Sequence, residues 1–161
     1  MNAFRTITTL IAVSALTAAC GDSPTGMNVA RSELPLAEAS LANGQSARRV
    51  ALIAHFGDPV LIEAPARTTV GTPTDVYVTT YEGGCNREDV VASEVIGMRA
   101  LVVPYRLVPT DPNVVCTAEL LITRRLVRLT FASTGSATIR VIGREEPGSR
   151  LFAVERRIVV E

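Results

Sequence analysis

Hydrophobic and polar residues alternate with period two through most of the second half of the chain. From about Asp58 onward, short runs rich in Val, Ile, Leu and Thr are separated by turn residues, with a turn every 8–14 residues or so. The last run, LFAVERRIVVE at residues 151–161, alternates along its whole length. Alternation of this kind is typical of half-buried β-strands. The pattern therefore predicts an all-β domain over residues 58–161.

The arrangement of these strands is predicted to be an antiparallel sandwich. One face of each strand is apolar and the other is mixed, which favours antiparallel sheets with one covered face. The strand count and the opening TTVGTPTDVYVTTYEGG, residues 68–84, resemble a bacterial immunoglobulin-like domain. The resemblance implies an immunoglobulin-like antiparallel β-sandwich. The chain has no Trp, so the packing of Trp on a disulfide seen in antibody-type domains is not expected.

The segment before residue 58 lacks this regular alternation. Residues 21–49 are rich in Gly, Ser, Pro, Asn and Ala and contain no aromatic residue, which indicates a flexible tether. The following run, RRVALIAHF at residues 48–56, is more apolar. It fits either a first strand or a short helix that docks on the domain, because periodicity does not decide at this length. We place the tether at residues 20–57 and leave the docking of its end open.

The N-terminus has the features of an export signal. The uncharged run TITTLIAVSALTAA, residues 6–19, is shorter than the ~20 residues that a membrane-spanning helix needs. Its length suits the apolar region of a signal peptide. Small residues then precede Cys20, and the segment resembles a bacterial lipoprotein signal peptide with its lipobox. Thr17 stands where that family most often has Leu. The resemblance implies a signal peptide over residues 1–19 and an acylated Cys20 that anchors the chain to a lipid bilayer.

The cysteines are consistent with the same compartment. The chain has three cysteines, and an odd number in an exported protein needs an explanation. If Cys20 carries lipid, Cys85 and Cys116 remain, each beside a turn-like stretch. In an oxidising cell envelope these two are predicted to form a disulfide, with two free buried thiols as the alternative.

Groups suited to catalysis or metal binding are few. His55 is the only histidine, with Asp58 nearby, and a single His without a CxxC motif leaves too few ligands for zinc. Neither a G-x-S-x-G motif nor a Gly-rich phosphate loop is present. Carboxylates in NRED (86–89) and TDPN (110–113) offer a calcium site as an alternative to solvated turns. The sequence therefore predicts no cofactor and no metal.

The charged residues suggest one candidate binding face. All 16 basic residues are Arg, and the formal net charge of +0 argues against a nucleic-acid partner. Arg residues at alternating positions of the late strands predict a face for an anionic ligand or another envelope protein, formed by Arg128, Arg140 and Arg156. Cross-strand pairing with neighbours such as Glu145 and Glu155 is the alternative explanation.

Together these features predict a membrane-anchored lipoprotein of the bacterial cell envelope, on its periplasmic or surface side. The expected function is that of a non-catalytic binding or structural module. The alternative is an envelope hydrolase or a metal-dependent enzyme that uses loop carboxylates. A concave pocket with convergent carboxylates would favour the enzyme, whereas a convex surface with an exposed strand would favour the module.

Overall fold

The computed structural model describes residues 45–161, and all of their regular secondary structure is β-strand. The prediction of an all-β domain is confirmed. The predicted signal peptide (1–19), Cys20 and most of the predicted tether lie outside the described residues. The strands are β1 (Ser46–Val50), β2 (Leu52–His55), β3 (Ile62–Glu63), β4 (Arg67–Thr68), β5 (Thr74–Gly83), β6 (Arg87–Ile96), β7 (Arg99–Pro109), β8 (Leu120–Leu129), β9 (Gly135–Glu146) and β10 (Leu151–Val160).

The ten strands hydrogen-bond into one curled sheet. Three long antiparallel pairs make up most of it: β5 with β8, β6 with β7, and β9 with β10. The expectation of purely antiparallel pairing is wrong at three places, because β7 with β9, β2 with β9 and β4 with β10 are parallel. Between β7 and β9 the chain leaves to form β8 and then returns. Such a crossover lets two strands run side by side in the same direction.

Residues 46–55, which the sequence analysis placed in the tether, belong to the sheet. β1 pairs antiparallel with β7, and β2 continues onto β9 and touches β5. Val50 and Ile53 are fully buried. Ile53 packs so closely on β9 that a Cβ at Gly143 would overlap its side chain. The predicted domain boundary at residue 58 therefore falls too late, because burial of these apolar side chains holds the segment in the fold.

Pro104 lies inside a central strand, β7, where proline is unusual. β7 pairs with β6 on one side and with β9 and β1 on the other. Proline lacks the N–H that a sheet ladder uses, so it needs an irregular place. The register of β6 shifts between Glu88 and Val91, directly beside Pro104. The Pro104 carbonyl accepts a hydrogen bond from Ala51 N at 2.9 Å. The bulge is thus in the partner strand, and β7 is not an edge.

The interior of the curled sheet has an apolar end and a polar end. At the apolar end Phe131 is 1% exposed and lies among side chains from six strands, namely Ile53, Val76, Val78, Ala100, Val102, Val127, Leu129, Ala137, Ile139, Val141, Ile158 and Val160. Full burial of each large apolar side chain stabilises the fold by roughly 1.5–3 kcal/mol. Further along β5 and β8 the inward positions become polar, with Thr80, Glu82 and Arg125 all buried.

Candidate functional site

The polar end of the interior contains a buried carboxyl group. Glu82, near the end of β5, is 3% exposed, and it lies on the same side of the strand as Val76 and Val78. Within residues 45–161, neither of its carboxylate oxygens has a hydrogen-bond partner, and the hydroxyl of Thr80 also lacks one. A buried polar group without a partner costs stability, so this end of the interior is energetically expensive.

Burial sets the charge state of Glu82. Loss of solvent raises its pKa from 4.5 to about 7, against the opposing effect of the nearby Arg106 and Arg125 guanidinium groups. The Glu88 carboxylate adds a smaller upward effect on this pKa. At neutral pH the carboxyl group of Glu82 is therefore close to half ionised. A small change in its surroundings changes its charge.

Arg125 bridges three strands from the same end of the interior. This β8 residue is 5% exposed, and its Nη1 donates to the carbonyl of Tyr105 in β7 at 2.6 Å. Its Nη2 donates to the backbone carbonyl of Asp89 in β6, beside the β6 bulge. Burial lowers the pKa of Arg125, while the carboxylates of Glu88, Glu82 and Asp89 oppose that change. Arg125 thus joins the edge strands β6 and β8 through backbone carbonyls.

A cavity of about 450 Å³ opens beside Glu82. This volume lies within the range of small-molecule sites in proteins. Its walls include Glu82, Arg106, the rings of His55 and Tyr81, and Glu146. The two rings stack with centroids 5.5 Å apart and an angle of 19° between their planes. His55 Nε2 lies 3.8 Å from Glu146 Oε2. Burial raises the pKa of Tyr81, and the Asp58 carboxylate raises it further.

The predicted disulfide is present and forms part of the cavity rim. Cys85 follows the end of β5, and its bond to Cys116 ties that turn to the segment before β8. A Cβ at Gly83 would overlap the Glu119 carbonyl oxygen, so the two segments pack backbone against backbone. In the chain-entropy model a disulfide across a loop of this length stabilises a fold by roughly 3–4 kcal/mol. The bond thus holds one wall of the cavity in place.

The other candidate catalytic groups are engaged elsewhere. The imidazole of His55 faces Glu146 rather than Asp58, whose backbone N–H donates to the His55 carbonyl at 2.9 Å. Of the carboxylates predicted in loops, Asp89 lies in β6 and accepts from Arg48 Nε at 2.5 Å, and Asp111 accepts from Asn113 N at 2.8 Å. Over the described part of the chain, no group of three His, Cys, Asp or Glu is arranged to hold a metal ion.

The three Arg residues of the predicted binding face do not share one face. Arg140 lies opposite Glu155 across the β9–β10 pair, 4.0 Å from its carboxylate. Arg156 lies opposite the buried Ile139 and is therefore on the other side of the same pair. Arg128 is on β8, where it pairs with Asp75 at 3.0 Å. The pairs at Arg128 and Arg140 are the cross-strand pairs of the alternative explanation. A role of these Arg residues in binding stays a prediction.

A second, open groove of about 490 Å³ is lined by charges that are mostly paired with each other. Arg124 binds the Glu63 carboxylate at 2.6 Å and lies over the ring of Tyr77, 4.4 Å from its centroid. Asp75 is held by Arg128, and Arg156 lies at the same groove. These exposed pairs explain the groove as ordinary sheet surface.

Comparisons with known proteins leave the chain without a relative. No family model matches it, and neither a curated protein nor a solved structure is significantly similar. In the part of the chain that the structure describes, no helix is long and apolar enough to cross a membrane.

Proposed function

We propose that the chain is a lipid-anchored lipoprotein of a bacterial cell envelope, and that its β-domain is a non-catalytic binding or structural module. The observation that supports this most is the Cys85–Cys116 disulfide. It accounts for two of the three cysteines and leaves Cys20, directly after the signal-like run. Disulfides persist in oxidising compartments such as the bacterial envelope. A lipid on Cys20 would explain why the cysteine count is odd.

The fold proposed for this module is an immunoglobulin-like sandwich. β3 pairs antiparallel with β5, and β4, a few residues later, pairs parallel with β10. The segment thus passes from the β5–β8 pair to the β9–β10 pair, as expected if two layers face each other. The apolar cluster takes inward residues from both pairs. This distribution supports a core between two layers.

A hydrolase remains the second candidate because of one observation. Glu82 combines burial, a pKa of about 7 and a place in a cavity wall, which are the properties of a general acid or base. The charged groups that act on its pKa are Arg106, Arg125 and Glu88, and Asp89 and Asp111 accept hydrogen bonds from other residues. Within residues 45–161 no second acid or base is hydrogen-bonded to Glu82, and we therefore prefer the binding module. Turnover of ester, amide or glycoside substrates that depends on Glu82 would reverse this preference.

The lipid anchor is tested by mass spectrometry of the protein purified from membranes of a bacterial host. We expect a mature chain that begins at Cys20 and carries a diacylglyceryl group, with Cys85 and Cys116 joined. The matched variant Cys20→Ser removes only the acylated thiol and should move the protein from the membrane to the soluble fraction with its disulfide intact. An unmodified Cys20 thiol in the native protein, or reduced Cys85 and Cys116 in the cytosol, would contradict the proposal.

The binding role is tested by crosslinking in the native cell and identification of the captured envelope component. Cys20→Ser serves as the control for location, since a partner in the envelope should be captured less when the anchor is lost. Capture of cytosolic proteins only would count against the module.

A further inference from the structure

Glu82 is a buried acid that the described fold does not use. A carboxylate accepts several hydrogen bonds, yet neither oxygen of Glu82 receives one within residues 45–161. The adjacent guanidinium of Arg125 directs Nη1 and Nη2 to the carbonyls of Tyr105 and Asp89 instead. Arg106 acts on Glu82 through its charge. Glu82 thus lines the cavity and has two buried carboxylate oxygens without a hydrogen-bond partner, which a donor on a bound molecule would satisfy once the side chain turns toward it.

The rest of the cavity wall indicates the charge of such a molecule. Three glutamates line it, Glu82, Glu119 and Glu146, together with one arginine, Arg106. The ring of Tyr81 is buried in the same wall. Carboxylates and aromatic faces both attract cations, and their attraction is greatest where water is excluded.

We propose that this cavity binds a small organic cation whose ammonium group donates hydrogen bonds to the Glu82 carboxylate. The inference goes beyond the proposed envelope function and does not depend on lipid at Cys20. The volume of about 450 Å³ lies within the range of small-molecule sites. The disulfide fixes the part of the wall at Cys85 and Cys116, so that part does not have to be ordered when a ligand enters.

The proposal is tested by calorimetry on the full-length protein in detergent with four probes. Putrescine and agmatine are the cations, butane-1,4-diol is the neutral probe of similar length, and succinate is the anion. We expect saturable binding of at least one cation and none of the diol or succinate. Glu82→Gln should weaken cation binding at least tenfold, whereas Glu155→Gln, an exposed carboxyl on β10, should leave it unchanged. Failure of both cations to bind, equal binding of the diol, or unchanged binding by Glu82→Gln would overturn the proposal.

A second measurement on the unaltered protein guards against misfolding of the variant. The affinity for the cation should fall about tenfold from pH 8 to pH 6, as Glu82 takes up a proton. The other charged groups that face Glu82 are Arg106, Arg125 and Glu88, and His55 and Glu146 lie in the same cavity. Because a histidine also gains charge on acidification, the series is repeated on His55→Gln, which should keep most of the pH effect. A flat profile in the unaltered protein would contradict the proposal.

Discussion

The two ends of the sheet interior are formed by the same strands, but one end is filled by apolar side chains and the other by polar and charged ones. At one end β5 and β8 contribute Val76, Val127 and Leu129 to a cluster of apolar side chains. A few residues further along, the same faces of the same two strands contribute Glu82 and Arg125. The apolar end is stabilised by the removal of hydrocarbon from water. The polar end costs stability through desolvation and regains part of it through hydrogen bonds to backbone carbonyls.

The apolar end therefore mainly provides stability, whereas the polar end is suited to respond to protons and ligands. Burial of hydrocarbon tolerates many residue types of suitable size, and its effect depends little on pH. A buried charge network depends on each of its members and responds to protons and ligands. We therefore expect variants at the apolar end to lower stability uniformly, and variants at the polar end to have effects that depend on pH and on each other.

The largest effect is expected at the apolar end. Phe131→Ala removes a side chain that is almost fully buried among the cluster residues, and the free energy of unfolding should fall by about 3–5 kcal/mol. Leu126→Ala is the matched control, because Leu126 is on the exposed side of β8. This variant should lose much less free energy of unfolding. Chemical denaturation followed by circular dichroism measures both. Equal losses for the two variants would mean that the cluster around Phe131 is not the core.

At the polar end, Arg125→Met should lower the free energy of unfolding by about 3 kcal/mol. The substitution removes the donors to Tyr105 and Asp89 carbonyls and one of the two cations beside Glu82. The double variant Arg125→Met with Glu82→Gln tests whether the two polar residues depend on each other, unlike residues of the apolar end. Because this change also removes the unpaired acid, the double variant should lose less than the sum of the single changes. Strict additivity would show that Glu82 and Arg125 do not interact.

A pH-dependent effect of intermediate size is expected for Glu82→Gln. In the folded chain the pKa of Glu82 is about 7, above the 4.5 of an ordinary Glu side chain, so the folded state favours the protonated form. Glu82 therefore does not lower the free energy of unfolding below pH 4.5, where it is protonated in both states, and lowers it progressively as the pH rises from 4.5 to about 7. Relative to the unaltered protein, the variant should therefore gain up to about 3 kcal/mol between pH 4.5 and pH 8. Glu155→Gln should show no such slope. If the stability of Glu82→Gln changed with pH in parallel with that of the unaltered protein, Glu82 would not be a buried acid with a raised pKa.

Local periodicity predicted strands well where one side of the strand is buried, as in β9 and the end of β10. The alternation in residues 151–161 places Phe152, Val154 and Ile158 on the inner side of β10, as the structure does. The run at residues 48–56 was left open, because a short apolar run fits either a strand or a helix. The parallel pairing of β7 with β9 was missed. It joins segments that are distant along the chain, and no local pattern encodes such a partner.

The candidate site was only half visible in the sequence. The pattern DVYVTTYEGG puts Glu82 on the same side as Val76 and Val78, so its position already indicates an inward carboxyl. Arg125 falls on the side of Val127 and Leu129 for the same reason. The sequence predicted neither residue as part of a site, because charged side chains are usually exposed to solvent. That the two share one end of the interior depends on the register of β5 and β8, which only the fold supplies.

The smallest effect on stability is expected for substitution of the surface Arg residues. These variants distinguish a role in cross-strand pairing from a role in binding. Arg128 and Arg140 form exposed pairs with Asp75 and Glu155, and exposed pairs typically contribute about 0.2–1 kcal/mol. Arg128→Ala with Arg140→Ala should therefore lower the free energy of unfolding by less than about 1 kcal/mol, and 0.5 M salt should shrink even that difference. Because the two side chains lie in separate strand pairs, their effects should add, which denaturation of the single and double variants checks. If the double variant keeps its stability but loses its crosslinked envelope partner, the Arg residues bind that partner. If capture is unchanged, they serve only as cross-strand pairs.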